Sequence, residues 1–320
     1  MAPLVVYSVG KGGVGKTTCA AALGVHIAKT RRTLVASLDP AHNLGDVLEK
    51  RLNGTPKQVD SGLWACEVNM DAAIARYLSD SSDRLKQMYG HLKVINLEGY
   101  LDALKLSPGI EEYATLQALQ ELLQKADGHY DVVVFDTPPT GLTLRVLALP
   151  SVSLMWGERL MKLRREILDK RRTIENIQGE KRFVLEGKEY KLPTDVKSDR
   201  VMTELVGYVA GMRGLNALQS DSRSSRVMPV MNADRLSLFE TNRALESLGN
   251  LGMAIGPIIV NKVGMKTSDE RTIENIRKEL RRPLRMLPFI DAEPVGMEAI
   301  GQIAERLDFE EWVPGHKPSG

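Results

Sequence analysis

The sequence predicts a doubly wound, mainly parallel α/β sheet with an inserted α-helical subdomain, and three observations support that expectation. Short apolar runs rich in β-branched residues alternate with helical stretches, a glycine-rich octet closes the first run, and two long charged stretches of helical character interrupt the alternation. The first run, Leu4 to Val9, stops at glycines, as a buried strand does when it delivers the chain into a tight loop; a helix is expected from Lys16. Further strands are expected at Thr33 to Leu38, Leu63 to Val68, Asp131 to Phe135, Val227 to Met231, Ile255 to Val260 and Leu284 to Leu287. Strands spaced by helices are joined by crossovers, which gives a parallel sheet covered on both faces.

The interruptions run from Asp71 to Gln124 and from Ser151 to Ser225. Met155 or Trp156, Leu160, Leu163 and Ile167 fall at helical spacing, as do Met202, Leu205, Val209 and Met212. The expected division is therefore a core of residues 1–70, 129–150 and 226–320, with a helical subdomain of residues 71–128 and 151–225 for a client or partner. Phe183 to Leu192 alternates around Gly187 and is expected to form a surface hairpin, and the tail beyond Trp312 is expected to fray.

Composition excludes several classes of function. With 320 residues, 43% apolar and 26% charged, the chain lies in the globular range rather than the disordered or fibrous one. The 43 Lys and Arg against 41 Asp and Glu alternate along the chain, so no basic track for nucleic acid is expected. Cys19 and Cys66 are the only cysteines, which excludes a disulfide framework and a zinc site built on a close cysteine pair. No apolar stretch approaches the roughly 20 residues of a membrane span. The opening run is too short for a secretory leader, so the expectation is a cytoplasmic protein that is not integral to the membrane.

Gly10, Lys11, Gly12, Gly13, Val14, Gly15, Lys16 and Thr17 read G-x-x-x-x-G-K-[ST] between a predicted strand and a helix. Glycines let consecutive backbone N–H groups turn toward phosphate oxygens, and the start of the helix adds partial positive charge. Lys16 is expected on the β- and γ-phosphates, and the Thr17 hydroxyl on Mg²⁺. Phosphoryl transfer also requires a carboxylate supporting the metal and a group that orients water. Asp136 closes the run VVVFD and is the candidate metal carboxylate, while Asp39 closes LVASLD before Pro40. Either position also suits a loop cap, but with a P-loop in the same sheet both fall at the crevice formed by the strand ends.

GKGGVGKTT, DPAHNLGDVL and FDTPPTGLTLRVLALP together resemble the deviant P-loop, switch I and switch II of the arsenite-pump and tail-anchored-protein-targeting ATPase family. The similarity continues in SPGIEEY (Ser107 to Tyr113), RLSLFETNRAL (Arg235 to Leu245), IVNK (Ile259 to Lys262) and LPFIDAEPVGMEAI. It implies a P-loop NTPase that hydrolyses ATP with Mg²⁺ and closes as a homodimer, its helical subdomain handling an apolar transmembrane segment of a client, with a membrane receptor as a further partner. It also implies that Asp39 polarises the attacking water, Asn43 helps to position it, Lys11 reaches the partner's nucleotide and Asn261 contacts adenine; Thr18 and Pro288 complete the candidate nucleotide contacts. Asn261 also has a plainer reading as a loop cap after a strand. His42 has a plain reading as a local hydrogen-bonding group of its loop.

Three features depart from the family. Pro138 and Leu142 replace the commoner residues of switch II, no C-x-x-C pair is present to hold a dimer on zinc, and two cysteines cannot form a three-thiol metalloid cluster. The preferred expectation is capture and delivery of tail-anchored or other apolar membrane-protein segments. The alternatives are the energising subunit of a metalloid efflux pump and a nucleotide-switched protein-binding scaffold. The methionines Met155, Met161, Met202 and Met212 suit either a packed core or an adaptable groove, and Met155, Leu160, Met202, Leu205 and Val209 are the candidate groove residues.

Overall fold

The computed structural model describes residues 2–41, 43–88, 107–180, 182–185, 188–265 and 270–312. His42, Gly187 and the tail beyond Trp312 lie outside the described residues, as does part of the expected helical stretch 71–128. The chain forms two compact units, one of Met1–Ile74, Glu111–Leu147 and Leu218–Gly320, the other of Ala75–Ile110 and Ala148–Ala217.

The first unit is built on an eight-stranded sheet of order β10-β9-β8-β1-β5-β2-β4-β3. Its strands are β1 (Leu4–Val9), β2 (Thr33–Ser37), β3 (Lys57–Asp60), β4 (Leu63–Glu67), β5 (Val132–Asp136), β8 (Ser225–Asn232), β9 (Ile258–Val263) and β10 (Leu284–Pro288). All neighbours pair in parallel except β3, which runs antiparallel to β4. The expected strand at Ile255 begins instead at Ile258, because Pro257 has no N–H to give the ladder; Ile255 keeps only an isolated bridge to Val227. Strand β3 escaped the sequence reading, since KQVD is an exposed edge without an apolar face.

Helix α1 (Lys16–Ala28) follows β1 and is buried on most sides, which its alanines and Gly24 permit. It packs against the helix Gly296–Leu307, and Leu23, Ile27, Val35, Leu63, Ile303 and Trp312 belong to one core cluster. Helices α2 (Leu44–Leu48) and α3 (Met70–Met88) follow in sequence. Helix α4 (Ile110–Ala126) was expected wholly in the helical subdomain, but from Glu111 onward it belongs to the first unit. It is the last element before β5, where a parallel strand needs a crossover helix, and it buries Ala114, Ala118, Leu119, Leu122 and Ala126.

The second unit holds most of α5 (Thr140–Gln178) and α6 (Arg200–Ser220), plus the antiparallel hairpin β6 (Arg182–Leu185) and β7 (Lys188–Lys191). Asp199 starts α6 by accepting the Met202 N–H at 2.6 Å while Arg164 holds its other oxygen at 2.6 Å. Both ion-pair partners are well covered, so this pair fixes where α6 begins against α5. Helices α7 (Arg235–Asn250), α8 (Glu270–Leu280) and α9 (Gly296–Leu307) complete the first unit.

Candidate nucleotide site

Strand β1 lies between β5 and β8, where successive connections leave in opposite directions, and a doubly wound sheet offers its ligand crevice at such a point. Ser8 of β1 and Ser37 of β2 are both in register with Asp136 of β5, so three strand ends meet beneath the Gly10–Thr17 loop. Two glycines allow the loop its course. A Cβ on Gly10 would lie 2.2 Å from the Val230 carbonyl oxygen, and Gly15 turns at φ +93° with the Asn261 amide 2.4 Å from where its Cβ would be.

Lys16 opens α1 with only 5% of its surface exposed. Burial lowers its pKa, while the Asp136 and Asp39 carboxylates oppose that shift. Its Nζ donates to the Lys11 carbonyl oxygen at 3.3 Å. Thr17 donates its hydroxyl to Asp136 Oδ2 at 2.8 Å, and Ser37 donates to the same oxygen at 3.3 Å. Burial pushes Asp136 up to about 6, against the Thr17 hydrogen bond and the Lys16 charge. Its other oxygen, Oδ1, is buried without a partner. An orphaned carboxylate oxygen beside a threonine hydroxyl fits a hydrated Mg²⁺, which takes few protein ligands and shares its shell with phosphate and water. Among the described residues no group of three or more His, Cys, Asp or Glu is placed to cage a metal ion.

Asp39 lies just beyond β2, where its Oδ1 accepts the Ala41 N–H at 3.1 Å. Downstream of β5, the Thr137 hydroxyl donates to the Ser8 carbonyl at 2.6 Å, Thr143 donates to the Pro138 carbonyl at 2.7 Å, and the Thr140 N–H reaches the Gly10 carbonyl at 3.2 Å. The segment after β5, with Pro138, is thus bonded directly to β1 and to the start of the Gly10–Thr17 loop. Leu142 contributes its N–H to the Pro139 carbonyl at 3.1 Å.

One cleft of about 700 Å³ is lined by Gly12, Gly13, Gly15, Lys16, Thr17 and Thr18, together with Asp39, Asn43, Asn261 and Pro288. Ten of the sequence-derived candidates therefore share one cavity. Gly10, Lys11, Val14 and Asp136 do not line it: the first three border a separate, smaller cavity, the Val14 side chain belongs to the hydrophobic core, and Asp136 is fully buried beneath Thr17. Lys11 reaches the Glu240 carboxylate of α7 at 3.3 Å. Asn261 donates its amide to the Val14 carbonyl at 2.8 Å and accepts the neighbouring Lys262 N–H at 2.8 Å, so its nitrogen holds the loop while its oxygen is taken up by its own strand.

Sequence reasoning missed Lys262. Its backbone is left-handed at φ 58°, and its Nζ donates to the Gly13 carbonyl at 3.0 Å, so Asn261 and Lys262 together hold two consecutive carbonyls of the P-loop. The motif IVNK contained the residue, but neither the φ nor the direction of the side chain is written in the motif. The cleft wall at Phe289, Asp291 and Glu293 was missed for the same reason.

Comparison with known proteins agrees with this geometry: residues 4–308 match the family described as anion-transporting ATPase. The chain belongs to that family. An arsenical pump-driving ATPase by name, from Prosthecochloris vibrioformis, is 32% identical over 316 residues, covering 93% of this chain and 73% of the relative. The ATPase ASNA1 homolog of Entamoeba histolytica is 31% identical over 266 residues, covering 81% and 76%. The ATPase GET3 of Ajellomyces dermatitidis is 29% identical over 262 residues, covering 81% and 72%. This member of the anion-transporting ATPase family is an ATP hydrolase, and its fold is the α/β sheet of P-loop NTPases.

Proposed function

We propose that this ATPase works as a Mg²⁺-dependent homodimer that couples ATP binding and hydrolysis to the capture and delivery of tail-anchored or other apolar membrane-protein segments, handing them to a membrane receptor. In this reading the P-loop N–H groups and Lys16 hold the β- and γ-phosphates, Asp39 polarises the attacking water with Asn43 beside it, and Lys11 exchanges Glu240 for the partner's nucleotide. Thr17 and Asp136 hold the Mg²⁺, which neutralises phosphate charge when bound. Asn261 and Pro288 border the nucleotide and Asn261 supports the loop.

The observation that carries the reading is an apolar stripe on α5. Trp156, Leu160 and Leu163 are 56%, 46% and 53% exposed, flanked by exposed Val152 and Met155. Steps of four and three residues continue the row through Ile167 to Ile174 and Ile177, interrupted by Lys170. Of the sixteen exposed large hydrophobic side chains among the described residues, seven lie on this helix, which is a concentration rather than scatter. A stripe at this spacing accepts the apolar face of another helix.

The expected groove residues require correction. Met155 and Leu160 are exposed, but Met202 and Val209 are 1% and 3% exposed and pack inside the second unit, as does Met212. Gly157 explains part of this packing, since a Cβ there would meet Val209 Cγ2 at 2.5 Å. A metalloid-pump role has less support, because Cys19 and Cys66 are both buried with thiols pushed up to about 12 by burial.

The test is capture of an isolated transmembrane helix by the full chain with ATP, with ADP and without nucleotide, in wild type and in Trp156→Asp/Leu160→Asp. Capture by wild type and at least a tenfold loss in the double variant, with ATPase unchanged, are expected. Equal capture by both proteins would overturn the stripe as the client surface.

A further inference from the structure

The end of α8 and the connection that leads into the edge strand β10 carry arginines with no ion pair among the described residues. Around them Lys278 pairs with Glu274 at 2.7 Å and Arg285 pairs with Glu311, while Glu279 accepts a hydrogen bond from the neutral Asn242 amide at 3.3 Å. Arg277, Arg281 and Arg282 have no ion pair or hydrogen-bonded side-chain partner among the described residues, and all three line one open concavity of about 430 Å³. Its remaining lining is apolar, from Pro283, Leu284 and Met286. No residue is common to this concavity and the P-loop cleft.

Two ordinary explanations account for only part of the cluster. A helix C-terminus favours cations, which covers Arg277 and Lys278 but not Arg281 and Arg282, which lie beyond the helix end at Leu280. Arg281 follows the helix at φ 47°, a left-handed position where glycine or asparagine is the unstrained choice. Charge also guards exposed sheet edges, yet the opposite edge strand, β3, does so with one Lys57 and one Asp60 rather than a single sign. Three guanidinium groups thus border one hollow, two of them beyond the helix end that would account for them.

We infer that this hollow is a second anion site, which takes a phosphate group on an apolar carrier. Guanidinium forks match phosphate oxygens in pairs and remain charged at any physiological pH, while Pro283, Leu284 and Met286 give the carrier a surface to lie on. The phosphate can belong to a small soluble compound or to a phospholipid headgroup, and the two sources separate experimentally.

The full chain, with its P-loop filled by saturating Mg-ADP, is titrated calorimetrically with inorganic pyrophosphate. In parallel it is sedimented with phosphatidylcholine vesicles containing or lacking phosphatidylglycerol. The comparison protein is Arg277→Gln/Arg281→Gly/Arg282→Gln, in which glycine at 281 relieves the backbone while the charge is removed. Wild type is expected to bind in at least one arm and the variant to lose that binding at least tenfold, with ATPase unchanged and melting temperature not lowered. Binding of pyrophosphate alone identifies a soluble ligand, and binding of the phosphatidylglycerol vesicles identifies a headgroup. The inference is overturned if wild type binds in neither arm, if the variant binds equally, or if a phosphate-free polyglutamate peptide competes as well as pyrophosphate.

Discussion

Lys16 and Asp136 of the first unit are buried charged groups, whereas Trp156 and Leu163 of the second are exposed apolar ones, so each unit inverts the usual partition in its own way. Burying an ionisable group costs several kcal/mol unless it is paired, and the first unit meets that cost with Thr17, Ser37 and the proximity of Lys16 to Asp136. Exposing apolar area costs about 25 cal/mol per Å² relative to burying it, and among the described residues nothing covers the α5 stripe. The contrast teaches that the first unit spends its polar contacts on its own buried charges, while the second leaves apolar surface uncovered.

The largest expected effect sharpens this contrast inside the second unit. Met202→Asp places an unpaired charge in a packed interior and is expected to destabilise by about 3 kcal/mol or more, while Trp156→Asp stays within about 0.5 kcal/mol. Thermal melts of the two variants decide it, and equal losses would mean that the stripe is interior. Next comes Lys16→Ala, expected to lower ATP turnover about a hundredfold or more, equivalent to about 2.7 kcal/mol. Steady-state ATPase measurements showing turnover within threefold of wild type would remove the phosphate assignment. The smallest is Asn261→Ala, which frees the Val14 carbonyl and the Lys262 N–H and is expected to cost about 1 kcal/mol of stability, read from denaturant midpoints at constant slope. A loss of nucleotide affinity without any loss of stability would mark Asn261 as a direct nucleotide contact instead of a brace.

The parts of the molecule legible in the sequence are those in which local chemistry dictates geometry. Glycines at fixed spacing after a strand allow few courses for the chain, and a carboxylate closing an apolar run must emerge at a strand end, so the P-loop and Asp136 could be read directly. Position across tertiary space was not readable in the same way. Met155 and Met202 have equivalent helical spacing, and only packing shows that one faces outward and the other inward. Strand β3 has no apolar pattern because it is an edge, and α4 resembles the helices of the second unit while covering the first. Lys262 was invisible because its role depends on a left-handed backbone turn that no composition rule requires of lysine.

The burial of Cys19 and Cys66 gives the chain a chemical silence that can be exploited. Both thiols lie inside the protein with pKa pushed to about 12, so neither offers thiolate to a reagent near neutral pH. The sequence has no third cysteine. A cysteine introduced at Leu160 or Arg281 would therefore be the one reactive sulfur on the surface, and a probe attached there would map whatever settles against α5 or the arginine hollow without editing the native chain further.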